Sequence, residues 1–411
     1  MGIRQEYSSC CMQSQVRSVQ MGNLILLTTS FPGEHPGSEA AGSYVADLAA
    51  ALSEYLDVTV VAPGRNSGME RLSSTLTVSR FSVPFLPLSL LRPYDPFHWA
   101  SIVKTMRFGQ RALEDLCGRQ KVDHILALWV LPSGWWAREM RKKIGVPYSV
   151  WALGSDIWTL SKIPVVRNLL VRTIRDSRHC FADGLVLKDD VERISGSPCE
   201  FLASVRDLPV SGTKSVSNGP PYRLAFLGRW HRNKGIDLLL ESLGKLGGPA
   251  WARIEEVKIC GGGPLEDQVR LGCEELKKAG HPVTLGGYLD KGEAARLLEW
   301  ADYLVIPSRI ESIPVVFSDA MQAECPVIAT PVGDIPRLLS QYGVGTLARE
   351  VSAQALCIAI TAALDNPPSA YEKGLGIARA DFDVRQVARY LAGLLVNSSG
   401  GKKQREERAA S

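Results

Sequence analysis

The chain is short of most signals that would place it quickly. It has no H-E-x-x-H pair and no C-x-x-C spacing, and its six histidines are dispersed. The nine cysteines are an odd number without framework spacing, and Cys10 and Cys11 are adjacent in a polar leader. A reducing compartment and no structural metal is therefore the simplest inference. No run approaches the roughly 20 apolar residues of a membrane span. The net charge of +4 is small for 411 residues, which argues against a nucleic-acid partner. No G-x-S-x-G marks a nucleophile elbow around Ser133, Ser155 or the histidines. The first 21 residues carry Arg4 and Arg17 but no apolar core, so they do not read as a secretory signal. Residues 1–21 and the charged tail 397–411 are both expected to be disordered.

What is present is a globular composition, 45% hydrophobic and 22% charged, long enough for two or three domains. Strand and helix patterns alternate from Asn23. A buried strand Leu24–Thr28 leads into a Pro/Gly loop around Gly33 and Gly37. A helix over Ala40–Tyr55 follows, with Val45, Leu48, Ala49 and Leu52 on one face. Further strands are expected at Val58–Val61, Thr75–Val83, His124–Trp129, Pro147–Leu153 and Cys180–Leu187. Helices are expected at Ser101–Leu116, Trp135–Lys143 and Leu187–Ile194. No G-x-G-x-x-G accompanies the first loop, which weakens a dinucleotide reading.

Two stretches of this half admit two readings. The apolar, proline-broken run PFLPLSLLRPYDPFHW (residues 84–99) either packs under a loop or meets a lipid surface or lipid acceptor. Arg167, Arg172, Arg175 and Arg178 form either a solvated basic face or a contact with an anionic membrane.

Residues 207–221 (DLPVSGTKSVSNGPP) have linker composition. A second alternating set then runs from the strand Tyr222–Leu227 to a terminal helix over Val384–Leu395. The reading is α/β: two Rossmann-like domains with parallel sheets facing across a cleft. Residues 22–206 form the first domain, 222–380 the second, and 381–396 a terminal helix.

The densest stretch is Ala301–Arg337. The strand Tyr303–Ile306 delivers Glu311 and Ser312 at its carboxyl end, where open α/β sheets bind ligands. Ser312 is expected to cap a helix beginning at Ile313, Pro314 and Val315, whose free N–H groups suit an anion. A hydroxyl-bearing anion such as a phosphorylated sugar fits, although an ordinary βαβ crossover has the same pattern. Gly228-Arg229 and Lys234-Gly235 place two cations in another strand-end loop, suited to a departing diphosphate. Gly261–Gly263 followed by Pro264 is either a phosphate cradle around Gly262 or a plain turn. Asp319 sits in a helix interior against its propensity, which marks either a ligand contact or an exposed position. Asp381-Phe382-Asp383 has the form of a metal-binding D-x-D but precedes a helix, and capping accounts for it better.

These runs resemble the retaining GT-B glycosyltransferases of family 4, the glycosyl transferases group 1. FLGRWHRNKGIDLLLES, VKICGGGP and the run from TLGGYLDKGEAARLLEW to VIATPVGDIP carry the resemblance. TTSFPGEHPGSEAAGSYVADLAAALSEYLDVTVVAP, DHILALWVLPSGWWA and VWALGSDIW resemble the family's acceptor domain more loosely. The resemblance implies that Arg229 and Lys234 grip the donor's diphosphate, with Gly228 and Gly262 close to it. It makes Glu311 the first acid of a Glu-x7-Glu motif, near the donor sugar. Ser312 and the backbone of Ile313, Pro314 and Val315 would hold phosphate or sugar. Asp319 stands in the place of the second acid, which contacts the ribose. Base choice would fall to contacts around Gly287-Tyr288. Gly42, Ser155 and Asp156 fall on the acceptor side. Departures are Asp319 for Glu, Ala41 for Gly, Leu128 for His and Glu324 for Gly.

The implied activity is metal-independent, retaining transfer of a hexose from a nucleotide-sugar to a hydroxyl on a glycan or lipid-linked glycan. No cofactor and no metal are implied. The protein would be cytoplasmic, with possible peripheral association with the membrane. A noncatalytic nucleotide-sugar-binding scaffold and a GT-B-like epimerase are the rivals.

Overall fold

The computed structural model describes residues 22–33, 42–86, 88, 91, 95–212, 217 and 219–396. The leader, the tail and parts of the first Pro/Gly loop, the 84–99 stretch and the linker lie outside these residues.

The first sheet contains β1 (Asn23–Leu27), β2 (Asp57–Gly64), β3 (Gly68–Arg71), β4 (Leu76–Ser82), β5 (His124–Leu128), β6 (Tyr148–Ala152), β7 (Cys180–Ala182) and β8 (Glu200–Phe201). Around it lie α1 (Ser43–Leu52), α2 (Pro96–Arg119), α3 (Trp135–Ile144), α4 (Ser155–Trp158), α5 (Pro164–Arg175) and α6 (Leu185–Ser195). The second sheet contains β9 (Tyr222–Arg229), β10 (Ile254–Gly262), β11 (Val283–Leu285), β12 (Tyr303–Ile306), β13 (Val327–Ala329) and β14 (Gly345–Leu347). Its helices are α7 (Ile236–Gly244), α8 (Gly248–Trp251), α9 (Glu266–Lys278), α10 (Lys291–Trp300), α11 (Val315–Gln322), α12 (Ile335–Tyr342), α13 (Ala353–Leu364) and α14 (Glu372–Asp381), with α15 (Val384–Val396) at the end.

The sheet orders are β3-β4-β2-β1-β5-β6-β7-β8 and β11-β10-β9-β12-β13-β14. Among the described residues every pairing is parallel except β3 with β4; β3 is an exposed edge strand that carries no hydrophobic alternation. In each sheet the chain starts at an inner strand, β1 or β9, and winds outward both ways. That reversal opens a crevice at the carboxyl ends of the strands, where ligands sit in doubly wound folds. The central strands are buried on both faces, which is why β5 and β6 read as continuous apolar runs.

Several element bounds differ from the sequence reading. α1 starts at Ser43, because Gly42 before it has left-handed backbone with φ 85°. β7 ends at Ala182 and α6 starts at Leu185, so the strand expected as far as Leu187 is really a strand, a turn and a helix. β9 and β10 run through Arg229 and Gly262, so the Gly-rich turn expected at 261 begins inside a strand. α12, where the sequence reading placed no helix, buries Ile335, Leu338, Leu339 and Tyr342 at helical spacing. Phe97 is 94% exposed and Trp99 57%, on the first turn of α2, so these two do not pack under a loop.

The two sheets share a core. One continuous cluster joins Leu48 and Leu52 of α1, Phe317 and Met321 of α11, and Leu391 and Leu395 of α15. α15 thus packs against the first domain although it follows the second in sequence. The segment that crosses between sheets is pinned by polar contacts. Arg206 makes two hydrogen bonds to the Asp319 carboxylate, at 2.8 and 2.5 Å. Gln322, one turn along α11, accepts from the Leu208 N–H and donates to the Arg206 carbonyl. Asp47 of α1 accepts from the Asp207 N–H and from Lys291 of α10.

Asp319 is fully buried, so removing its partner strands a charge in the core. Arg206→Ala should cost about 3–5 kcal/mol in urea unfolding, whereas joint replacement by Arg206→Met and Asp319→Leu should recover most of it. A single variant as stable as wild type would show that the pair does not hold the crossing.

Candidate functional site

The site grows from two strand ends. β9 and β12 are neighbours in the second sheet, and their following loops meet at the crevice. After β9 a short 3-10 turn, Arg232–Lys234, ends at Gly235, where φ is 70°. A Cβ at Gly235 would lie 1.7 Å from the Pro307 carbonyl oxygen, so the loop can close on the end of β12 only with glycine there. Arg309 locks the contact with 2.6 and 2.8 Å bonds to Asp237 and a further bond to the Arg232 carbonyl.

Across this joint Lys234 Nζ donates to Glu311 Oε1, a direct ion pair between the two loops. Arg229 is exposed at the end of β9, with no ion pair among the described residues, and lies in register with Gly262 of β10. Gly228 lies before it on the strand. The site therefore holds one cation paired with an acid and a second cation facing solvent.

The loop after β12 departs from the expectation in one respect. Ser312 does not cap the helix: α11 starts at Val315, with Pro314 at the cap position and no side-chain cap bond. Proline offers no side-chain acceptor; the Phe317 N–H bonds to the Pro314 carbonyl, which leaves the Val315 and Val316 N–H groups without a helix partner. The Ser312 hydroxyl is buried without a hydrogen-bond partner among the described residues. Ile313 is half-buried and Val315 exposed at this mouth. Beside the loop ends lies a cavity of about 220 Å³ lined by Trp230, Gly261, Gly262, Gly287 and Tyr288. The Trp230 indole N–H there is buried and has no partner among the described residues.

Asp319 was expected near the ribose, but both its oxygens are engaged by Arg206. Burial pushes its carboxyl up, against the opposing pull of the guanidinium.

On the facing domain, Gly42 opens α1 with its Cα close to Ser30, where a Cβ would lie 2.7 Å from the Ser30 carbonyl oxygen. Ser155 begins α4. Asp156 is buried and fully committed: it accepts from the N–H groups of Val130, Leu153 and Ile157. It therefore ties the loops after β5 and β6 together. Burial raises its carboxyl to about 6 despite those three bonds.

Three residues that the sequence reading missed complete this mouth. Asp334 stands at the cap position of α12 yet does not cap it. Its carboxylate instead accepts from the N–H groups of Leu185 and Val186, at 2.7 and 2.8 Å, capping α6 of the other domain. A cap residue before a helix was the visible signal, but it pointed to the wrong helix. Asp183, at the end of β7, is bonded through Oδ2 to Ser204, while Oδ1 has no partner among the described residues. Burial, followed by the charges of Asp156 and Asp334, raises it to about 7. Tyr44, in the first turn of α1, has a buried hydroxyl without a partner among the described residues. Burial and the charges of Asp183 and Asp156 hold its proton well above the ordinary range. Asp381 and Asp383 are accounted for structurally: Tyr342 donates to Asp381, and Asp383 accepts from the Arg385 N–H.

Two parallel sheets facing across a crevice, with cations and an acid at the strand ends of the second, define a glycosyltransferase of GT-B architecture. Similarity to known proteins agrees. The family described as Glycosyl transferases group 1 matches residues 221–366. A putative teichuronic acid biosynthesis glycosyltransferase, TuaC of Bacillus subtilis, is 26% identical over 339 residues, covering 74% of this chain and 80% of that one. Glycogen synthase of Mycobacterium tuberculosis is 25% identical over 251 residues, 57% of this chain and 58% of the enzyme. In fold, sucrose-phosphate synthase from Thermosynechococcus elongatus superposes with a TM-score of 0.64 at 18% identity, over 95% of this chain and 100% of that one. Anabaena HepE, solved in complex with UDP, superposes with a TM-score of 0.63 at 15% identity, over 92% and 100%. Residues 221–366 thus match the glycosyl transferases group 1, and the chain is a glycosyltransferase that uses a nucleotide-sugar donor.

The raised carboxyls carry a signed consequence. In the unfolded chain an aspartate is ionised above about pH 4. Asp183 keeps its proton in the fold up to about 7, so the native state binds more protons between those values. The contribution of this group to stability is therefore largest at the acid end and is lost as pH rises through 7. Asp183→Asn removes the penalty, so its melting temperature should gain on wild type between pH 5 and pH 8 by about 2–4 °C. A constant difference across that range would contradict the assignment.

Proposed function

We propose that the protein transfers a hexose, without a metal, from a nucleoside diphosphate sugar to a hydroxyl of a glycan or lipid-linked glycan, with retention at the anomeric carbon. The observation that carries this reading is the Lys234–Glu311 pair at the joint of two strand-end loops, with Arg229 exposed beside it. An incoming diphosphate competes with Glu311 for Lys234. Its negative charge is shared between Lys234 and Arg229, and Glu311 is released to accept hydrogen bonds from the sugar hydroxyls. Free N–H groups at the start of α11 add partial positive charge on the same side. The cavity beside Trp230 and Tyr288 suits the nucleoside base.

In the reaction the bond from the anomeric carbon to the diphosphate oxygen breaks, and the acceptor oxygen bonds to the same carbon on the same face. The acceptor's proton passes to the leaving phosphate, so no side chain has to act as base. Charge builds on the leaving group, and Lys234 and Arg229 would neutralise it there. For Asp319 the observed ion pair supports a positioning role: it fixes Arg206, and with it the crossing between domains, rather than the ribose. TuaC is named for teichuronic acid biosynthesis, which supports a polysaccharide as the product class.

Arg229→Ala and Lys234→Ala should each lower kcat by about 10²–10³-fold in a labelled nucleotide-sugar transfer assay, with circular dichroism unchanged. Tight donor binding without turnover in the wild type would favour a noncatalytic scaffold instead. Release of free sugar with no acceptor requirement would favour an epimerase.

A further inference from the structure

The loop after β13 meets the loop after β12 at a point where a side chain has no room. Gly333 has φ 52°, and a Cβ on it would lie 2.1 Å from the Glu311 carbonyl oxygen and 2.5 Å from that of Ser312. Only glycine fits that approach. The next residue, Asp334, donates its N–H to the Ser312 carbonyl at 3.1 Å. The segment that carries Glu311 is thus seated on the backbone of Gly333 and Asp334.

The first domain reaches the same point from the other side. Gly184 occupies the cap position of α6 and has no side chain to bond the first-turn N–H groups. A Cβ on it would lie 2.4 Å from Ser312 Oγ and 2.6 Å from Asp334 Oδ2. Its bare backbone lets the domains touch, and Asp334 supplies the missing cap. Oδ2 takes the Leu185 N–H at 2.7 Å and Oδ1 the Val186 N–H at 2.8 Å. Asp334 is fully buried, so these charge-assisted bonds are closed to water. Arg337 and Asp189 also bridge the domains at 2.8 Å, but both side chains are about half exposed and such a pair contributes little. Of the two links, the buried carboxylate is the strong one.

We propose that Asp334 is a positioning residue for Glu311. With its backbone on the loop after β12 and its carboxylate on α6, it makes that loop's working conformation conditional on contact with the first domain. The kinetic consequence, which rests on the donor-site reading above, falls on donor binding. The donor selects molecules in which the joint is made, so breaking the joint weakens apparent affinity by the fraction still joined. Saturating donor restores the joint, and turnover at saturation changes little.

Two variants break the joint from opposite sides. Asp334→Asn keeps the size and the bond to Ser312, but turns one acceptor oxygen into an NH2 that faces an N–H. Gly184→Ala drives a methyl group into Ser312 and Asp334 from the first domain. Hydrogen exchange on the full chain without ligand is the first measurement. The Leu185 and Val186 amides should exchange about tenfold faster in Asp334→Asn. The Arg309 amide, bonded to the Asn233 carbonyl at 2.7 Å within the second domain, should exchange faster in both variants. The second measurement is the initial rate of donor hydrolysis with UDP-glucose and with GDP-mannose. In both variants KM should rise about tenfold, with kcat within about threefold of wild type. Loss of folded protein would do the reverse, lowering kcat at unchanged KM. Asp189→Asn, at the exposed bridge, should leave exchange at Arg309 and KM as in wild type. Faster exchange confined to Leu185 and Val186, or a fall in kcat at constant KM, would overturn the proposal and leave Asp334 as a cap of α6 only. Wild type that turns over neither sugar nucleotide would count against the donor-site reading, while exchange at Arg309 would still decide whether Asp334 positions the loop.

Discussion

The contact of Gly235 with the carbonyl of Pro307 is the constraint on which the donor side depends. It brings the loop after β9 against the loop after β12, and only a residue without a side chain permits that approach. The Lys234–Glu311 pair follows from it, because neither side chain would find the other if the loops stood apart. Arg309, bonded to Asp237 and to the Arg232 carbonyl, holds the joint from the far side. The charges of the site are thus set by backbone packing before any ligand arrives, which is the condition for preorganised electrostatic stabilisation.

The same economy of contacts joins the domains. α11 does two things at once. Its first turn opens on the site, while Asp319 and Gln322 on its buried side grip the crossing segment at Arg206 and Leu208. Asp334 reaches over to cap α6, next to Asp183 and Gly184. One helix thus contacts both the loop that carries Glu311 and the segment that crosses between the domains. The terminal helix α15 packs on α1 within the shared core.

The architecture was largely legible in the sequence because parallel strands buried on both faces write themselves as short apolar runs. β12 was read at its full extent, and the strand ends carrying Arg229, Lys234 and Glu311 were found from their glycines and charges. The misses have physical causes. Ser312 looks like a cap by local chemistry, but Pro314 shifts the helix start past it. Asp319 looked like a misfit awaiting a ligand, whereas its partner Arg206 lies 113 residues away and no local pattern announces it. Asp334 caps a helix of the other domain, a pairing that exists only in three dimensions. Asp183 and Tyr44 differ from ordinary polar residues only in what surrounds them.

The central claim is that Lys234 is exchanged between Glu311 and the donor's diphosphate. A crystal structure with a bound nucleotide-sugar tests it most directly. The account predicts Lys234 Nζ within about 2.7–3.2 Å of a diphosphate oxygen. Arg229 should lie on the same group, and Glu311 should have turned to the sugar. A nucleotide-sugar bound elsewhere, with the Lys234–Glu311 pair intact, would contradict it.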